Sequence, residues 1–240
     1  MEILKTQIIG ELVAQDYRSA SVFKKHGIDF CCQGNRTIID ACTAKEIDVE
    51  VVVNGLNAIG NVNNSAAIDF KSWPLDLLVD YIEKTHHRYV EDKSPELIAY
   101  FEKICEVHGH NHTELYEIKE LIQQTVGNLA QHMKKEELVL FPFIRKMETA
   151  KRSGQELQKP HFGSIQNPIK EMESEHSAEG DRFRDIETLS NFYTPPEDAC
   201  NTYRVAFAML KEFQDDLHLH IHLENNILFP KSILLEKQLL

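Results

Sequence analysis

Basic side chains are in short supply in this 240-residue chain. Lysine and arginine number 26 against 38 aspartates and glutamates, a formal net charge of −12. A phosphate backbone or an anionic bilayer surface needs basic residues to neutralise it, so neither nucleic acid nor a membrane is expected as a partner. Long apolar runs are missing too, and none approaches the roughly 20 residues that cross a bilayer. The start of the chain lacks a basic leading region and carries Glu2 and Glu11 around its apolar residues, so it does not read as a secretory signal. Cysteine is sparse: five residues, an odd count with no regular framework. That excludes a disulfide scaffold and implies reduced thiols in a cytoplasm. What the chain does have is twelve histidines, and a 42% hydrophobic content that supports a packed core.

Two stretches nearly copy each other. One runs from His132 through Glu136 to Leu140-Phe141-Pro142, the other from His220 through Glu224 to Leu228-Phe229-Pro230. Four residues is about one helical turn, so each His stands over its Glu on one helix face. An imidazole and a carboxylate stacked in this way form half of a metal site, and a carboxylate can bridge two metals. The Leu-Phe-Pro ends the repeated unit at the same offset in each copy.

The periodicity is helical throughout, and the fold class is all-α. Residues 1–57 read as a small helical unit holding the adjacent Cys31 and Cys32 in a polar turn. Residues 58–72 read as a linker, because Asn57 to Lys71 is rich in Asn, Gly, Ser and Ala. Residues 73–240 read as four long helices. Pro95 marks a kink or a new helix capped by Ser94, Thr113 to Lys146 is one helix, Asn167-Pro168 opens the third, and Thr194 to Asp198 opens the fourth. All the metal-site candidates follow Trp73, so residues 73–240 are expected to fold and hold metal alone.

The repeat places the site. His132 and His220 are separated by the same interval as Glu136 and Glu224. Each has a histidine at a similar distance upstream, His86 or His87 in the first half and His176 in the second. The turns near His110 and Pro196 fall about midway within each pair. Residues equidistant from the turn of an antiparallel helix hairpin lie at one height. An up-down-up-down bundle of two hairpins therefore brings four histidines and two glutamates into one layer. That set suits two iron ions, each taking two imidazoles and one oxygen from each bridging glutamate, with an oxo or hydroxo bridge. Manganese fits nearly as well by ligand type, and zinc, which prefers closed four-ligand sites, fits less well.

Met172 to His176, His132 to Glu137 and His220 to Pro230 resemble the hemerythrin-like domain of the iron–sulfur cluster repair di-iron proteins, also called regulators of cell morphogenesis and NO signalling. Asp29 to Gly34 resembles that family's small leading domain with its Cys-Cys pair. The resemblance implies a hemerythrin-like four-helix bundle behind the small domain, and it selects His87 over His86. The implied ligands are His87, His132, Glu136, His176, His220 and Glu224, with Cys31 and Cys32 as redox or cluster-handling thiols. Oxygen-carrying hemerythrins, similar in fold, use more histidines and differently spaced acidic residues, which implies a more open and labile centre here.

The implied function is cytoplasmic repair of iron–sulfur clusters damaged by oxidative or nitrosative stress; the chain reads as a repair factor that supplies or remodels iron, with NO reduction at the di-iron centre left open. Its partners would be damaged iron–sulfur proteins, with NO or O2 as small ligands; a homodimer is compatible with this. The competing readings are a di-iron nitric oxide reductase or peroxidase, and an O2 or NO sensor. A gas store has no use for the Cys-bearing unit, and no flavin motif is visible to feed a reductase.

The remaining candidates read as structural. His108, His110 and His112 form a polar turn too far from His87 to share its metal, roughly 31 Å at 1.5 Å per residue. His218 and His222 read as solvated on the face opposite His220, Glu137 as a surface charge, and Cys42, Cys105 and Cys200 as core residues.

Overall fold

The computed structural model describes residues 3–60 and 68–240, which fold as helices joined by short turns. The heart of the linker, residues 61–67, lies outside the described residues. Among those described, extended pairing is limited to one antiparallel bridge between Ile8 and Thr37.

The leading unit holds α1 (Ile9–Gln15), α2 (Ala20–Lys25), α3 (Ile38–Ala44) and α4 (Val49–Gly60). Helix α1 buries Ile9, Leu12 and Val13, the spacing of a single helix face. Gly27, at φ +61°, stops α2: its N–H donates to Lys24 O, and Ile28 N–H reaches back to Phe23 O. Thr37 caps α3 by accepting from Asp40 N–H at 3.2 Å. The loop between α2 and α3 carries Asp29 to Gly34.

Four long helical rods follow. The first is α5 (Leu75–Tyr81), a π-helical turn (Ile82–His87) and α6 (Arg88–His108). The second is α7 (Glu114–Lys135), a π-helical turn (Glu136–Leu140) and α8 (Phe141–Ser153). The third is α9 (Gln166–Leu189). The fourth is α10 (Asn201–Leu223), a π-helical turn (Glu224–Leu228) and α11 (Phe229–Leu239). They pack as a bundle, α6 against α7 and α10, α7 against α9, and α8 against α5 and α11.

Pro95, Pro142 and Pro230 lie within the rods. Leu-Phe-Pro does not end either helix. A π-helical turn shifts the hydrogen-bond register just before it. Pro142 and Pro230 thereby fall in the first turn of α8 and α11, where a missing N–H is tolerated. Of the two readings of Pro95, the new helix capped by Ser94 does not form. The proline lies within α6, and Ser94 is itself helical, its hydroxyl donating to Val90 O at 2.6 Å. The fourth rod begins at Asn201 instead of at the Thr194–Asp198 segment. Asn191, Phe192 and Tyr193 all take positive φ, turning the chain before the two prolines.

Two apolar clusters flank a polar layer. One, toward the α6–α7 turn, contains Leu97, Phe101, Ile122, Leu129, Phe183, Phe207 and Phe213. The other, toward the opposite end, contains Leu78, Ile82, Phe141, Ile144, Met172 and Phe229. The first cluster also takes in Ile9, Leu12, Phe23, Phe30 and Ile38, so the leading unit and the bundle share one core. Helix α4 runs on to Gly60, into the segment read as linker, and among the described residues the leading unit and the bundle are not separated by a break in packing.

Candidate metal centre

Four rods deliver six side chains to the layer between the clusters. His87 comes from the first, His132 and Glu136 from the second, His176 from the third, His220 and Glu224 from the fourth, and all six are buried. Three of them, His87, Glu136 and Glu224, sit on π-helical turns. Such turns recur at functional sites because one extra residue re-aims the side chains that follow.

The six divide into two overlapping groups. His87, Glu136, His220 and Glu224 have one nitrogen or oxygen each within 4.8 Å of one another, and so do His132, Glu136, His176 and Glu224. Both glutamates belong to both groups. The imidazole Nε2 atoms stand 3.1 to 3.4 Å from their carboxylate oxygens.

Proton bookkeeping does not close in this layer. His87 Nδ1–H donates to Glu137 Oε1 at 3.1 Å, His132 Nδ1–H to Glu175 Oε2 at 2.8 Å, and His176 Nδ1–H to Asn225 Oδ1 at 2.8 Å. With Nδ1 protonated, a neutral imidazole turns a lone pair outward at Nε2. Yet His132 Nε2 and His176 Nε2 face each other at 3.0 Å, each turned also toward a carboxylate oxygen, so at most one of them can keep its lone pair free of a proton donor without a neighbour's charge. All four oxygens of Glu136 and Glu224, and Nε2 of His87 and His220, are buried without a hydrogen-bond partner. Buried polar atoms left this way are costly, and a cation between them satisfies every one. The donors are nitrogen and oxygen with no thiolate, a set suited to iron or manganese.

The titration behaviour agrees. Burial, with the charge of Glu224 beside it, pushes Glu136 well above the ordinary carboxylate range. At Glu224 burial also acts upward, but His220 and His176 outweigh it and pull the group well below that range. Burial opposes charge on His176, yet Glu224 and Glu136 lift it to about 9, while burial drops His220 to about 3. Two carboxylates so close and so dry share charge unequally in the absence of a cation.

The surroundings hold the rings in place. Phe141 stacks on His87 at 5.5 Å between centroids and Phe229 on His176 at 6.0 Å, so the Phe of each Leu-Phe-Pro braces a histidine from another rod. His86 points aside, its Nδ1–H donating to Asp216 Oδ1 at 2.9 Å and its ring stacking on His220. Glu137 is not a surface charge: it accepts from His87, Arg88 and Lys134. Adjacent to Glu136 on the chain, it reaches His87 because the π-helical turn rotates it inward. Glu175, adjacent to His176, holds His132 and pairs with Lys135. Sequence reasoning missed both, along with Asn225. The signal for the last was two consecutive asparagines, poor helix formers, inside a helix. A cavity of about 210 Å³ between α7 and α9 reaches His132 and His176.

His218 and His222 are not solvated either. Phe30 packs on both rings and Tyr17 on His222, and burial lowers the two to about 4 and about 3. The leading unit covers the face that the sequence left to water. It also brings the thiol loop to the site: Cys32 Sγ–H donates to His176 O at 3.3 Å, and Asp29, Cys31 and Cys32 form a third ligand-like group. The Cys32 thiol, burial and Asp29 together hold Cys31 well above the ordinary thiol range. At the far end of the bundle, Cys200 is exposed, with Sγ 3.2 Å from His108 Nε2. It is not a core residue.

Known proteins match both parts of the chain. The family model described as hemerythrin HHE cation binding domain matches residues 79–232, and a domain of unknown function, DUF542, matches residues 5–60. Proteins named iron–sulfur cluster repair protein YtfE are similar over nearly full length. Those of Yersinia pestis strain Pestoides F and of Yersinia pseudotuberculosis serotype O:1b strain IP 31758 are each 34% identical over 229 residues, covering 95% of this chain and 97% of theirs.

Proposed function

The chain belongs to the family of iron–sulfur cluster repair proteins built on a hemerythrin HHE cation binding domain, and from that premise we propose that it holds two iron ions and repairs damaged clusters by supplying or remodelling iron. His87 and His220 would hold one ion, His132 and His176 the other, and Glu136 and Glu224 would bridge them, with an oxo or hydroxo group completing the pair. The observation that carries this is the sharing of both buried glutamates by two groups, with all four glutamate oxygens and Nε2 of His87 and His220 left without a hydrogen-bond partner.

When bound, such a pair supplies labile ferrous or ferric ions and open positions for small ligands. The chain's own residues decide how tightly it is held. Glu137, Glu175 and Asn225 fix the rings of His87, His132 and His176 through Nδ1, keeping Nε2 free to ligate. Glu175 is about one-third exposed and bound to Lys135, so His132 rests on a partner that solvent reaches. A ligand held through a wet ion pair is more easily loosened than one held in a dry core. That side of the layer is also where the cavity opens, which favours release of iron over permanent storage.

The test mixes iron-loaded protein with an enzyme whose cluster NO has damaged, with a chelator scavenging free iron. Recovery of cluster absorbance and activity is expected. Recovery no better than with metal-free protein overturns the reading.

A further inference from the structure

The adjacent thiols at the edge of the metal layer have a spacing that calls for its own account. Cys31 Sγ and Cys32 Sγ lie 3.9 Å apart. A disulfide requires about 2.05 Å, and neighbouring cysteines reach it only with strain. A tetrahedral metal with thiolate bonds of about 2.3 Å spans about 3.8 Å between its two sulfurs. The two thiols are in hydrogen-bond contact, at a spacing that fits a chelated ion better than a disulfide.

The loop is built to hold that spacing. Asp29 Oδ1 accepts from the backbone N–H groups of Cys31, Cys32 and Gln33 at 3.1, 2.9 and 3.3 Å. Cys31 Sγ is 3.5 Å from the same oxygen. Asn226 Nδ2 donates to Cys31 O at 3.2 Å and Asn225 Nδ2 to the same oxygen at 3.4 Å, pinning the loop to the π-helical turn that carries Glu224. Gly10 and Gly34 close around Asn226, and neither has space for a Cβ. Cys31 is buried and Cys32 is partly exposed, so one sulfur faces the protein and the other reaches its edge.

We propose that Cys31 and Cys32 form a bidentate dithiolate site for one ferrous ion, separate from the two positions in the bundle and placed beside His176 as a stage in iron transfer. The proposal rests on the di-iron reading and names the residues through which iron leaves or enters. Binding breaks two S–H bonds and forms two S–Fe bonds, releasing two protons and exchanging no electrons. Cys32 Sγ is 3.3 Å from His176 O, and Asn225 joins Cys31 O to the His176 ring. Occupation of the dithiol and the orientation of a bundle histidine are thus tied through one side chain. A partner's vacant cluster site, itself lined by thiolates, would take iron from such a stage by ligand exchange.

Anaerobic titration of the full-length metal-free protein with Co(II) tests this. Nitrogen and oxygen ligands give weak visible bands, whereas a thiolate adds an intense near-ultraviolet charge-transfer band. Two equivalents are expected to fill the bundle without that band, and the third to bring it in. Cys31→Ser/Cys32→Ser should abolish the third equivalent and its band while keeping the first two. Cys32→Ser, which changes the more exposed sulfur, should weaken the third by more than about tenfold. Cys200→Ser should leave everything unchanged. Absence of the band at three equivalents, or its survival in the double variant, overturns the proposal. Failure of the di-iron reading shows separately, as fewer than two equivalents bound by nitrogen and oxygen.

Discussion

At the scale of single residues, charge and position decide more than residue type. Glu136 and Glu137 are neighbours, yet one has both oxygens free in the layer and the other orients a histidine from outside it. If Glu224 bridges, Glu224→Gln removes a charge and a ligand from both metals at once, and Glu136→Gln does the same. Iron content is expected to fall from two per chain to well below one, with loss of magnetic coupling. His176→Ala should leave a measurable mononuclear form. Two coupled irons in the Mössbauer spectrum of Glu224→Gln would show that the carboxylate does not bridge. A second residue-scale prediction concerns Cys200. The hydrogen bond from His108, assisted by the backbone N–H groups of Tyr203 and Thr202, lowers this thiol to about 7. Thiolate is the reactive form, so alkylation of Cys200 should rise with pH through about 7. Cys200 should be labelled before the buried Cys42 and Cys105, whose thiols burial pushes up. His108→Ala should move the midpoint up toward the ordinary value. Peptide mapping of labelled protein at a series of pH values reads both effects.

At the scale of elements, the π-helical turn is the repeated device. It occurs in three of the four rods, at the residues that supply His87, Glu136 and Glu224. In the fourth rod it also carries Asn225 and Asn226, which dock the thiol loop. The fit there is tight. A Cβ on Gly10 would stand 2.2 Å from Asn226 Oδ1, closer than atoms approach, and the Asn226 amide is already committed to Phe30 O and Cys31 O. Gly10→Ala is therefore expected to destabilise the protein by about 1–3 kcal/mol, the usual range for overpacking. Denaturant unfolding measures it. A stability equal to the parent's would show that Asn226 moves aside freely.

At the scale of the whole molecule, the leading unit is a cover as well as a neighbour. It shares a core with the bundle, packs Phe30 over His218 and His222, and adds an ion pair from Lys24 to Asp215. A piece comprising residues 73–240 keeps all six layer residues but exposes the apolar surface that Ile9, Leu12, Phe23 and Phe30 cover. It is expected to remain helical and bind metal, with a melting temperature lower by several degrees and a tendency to associate. Circular dichroism, metal analysis and light scattering check this. A helical fragment without metal would show that the leading unit helps to build the site. None of the described helices is long and apolar enough to cross a membrane.

Chain order and periodicity by themselves determined the all-α class, the four rods and five of the six layer residues. His-to-Glu spacing of one turn, repeated in both halves, is a local property that survives any packing of the helices. The choice of His87 over His86 was not local. Both rings are buried, and one residue of helix separates a group aimed at Glu136 from one held by Asp216. Periodicity left that choice open and the resemblance selected His87; the structure sets the His87 ring against Glu136 and His86 against Asp216, through a π-helical turn whose register depends on neighbouring rods. Only the tertiary structure decided the roles of Glu137, Glu175 and Asn225, whose partners lie about 40 or 50 residues away along the chain. A helix wheel alone leaves His218 and His222 to water, because it has no record of what covers its far face. That cover comes from residues more than 180 positions earlier in the chain. Its effect on those histidines is desolvation, which depends on how atoms are placed in space and not on their order in the chain.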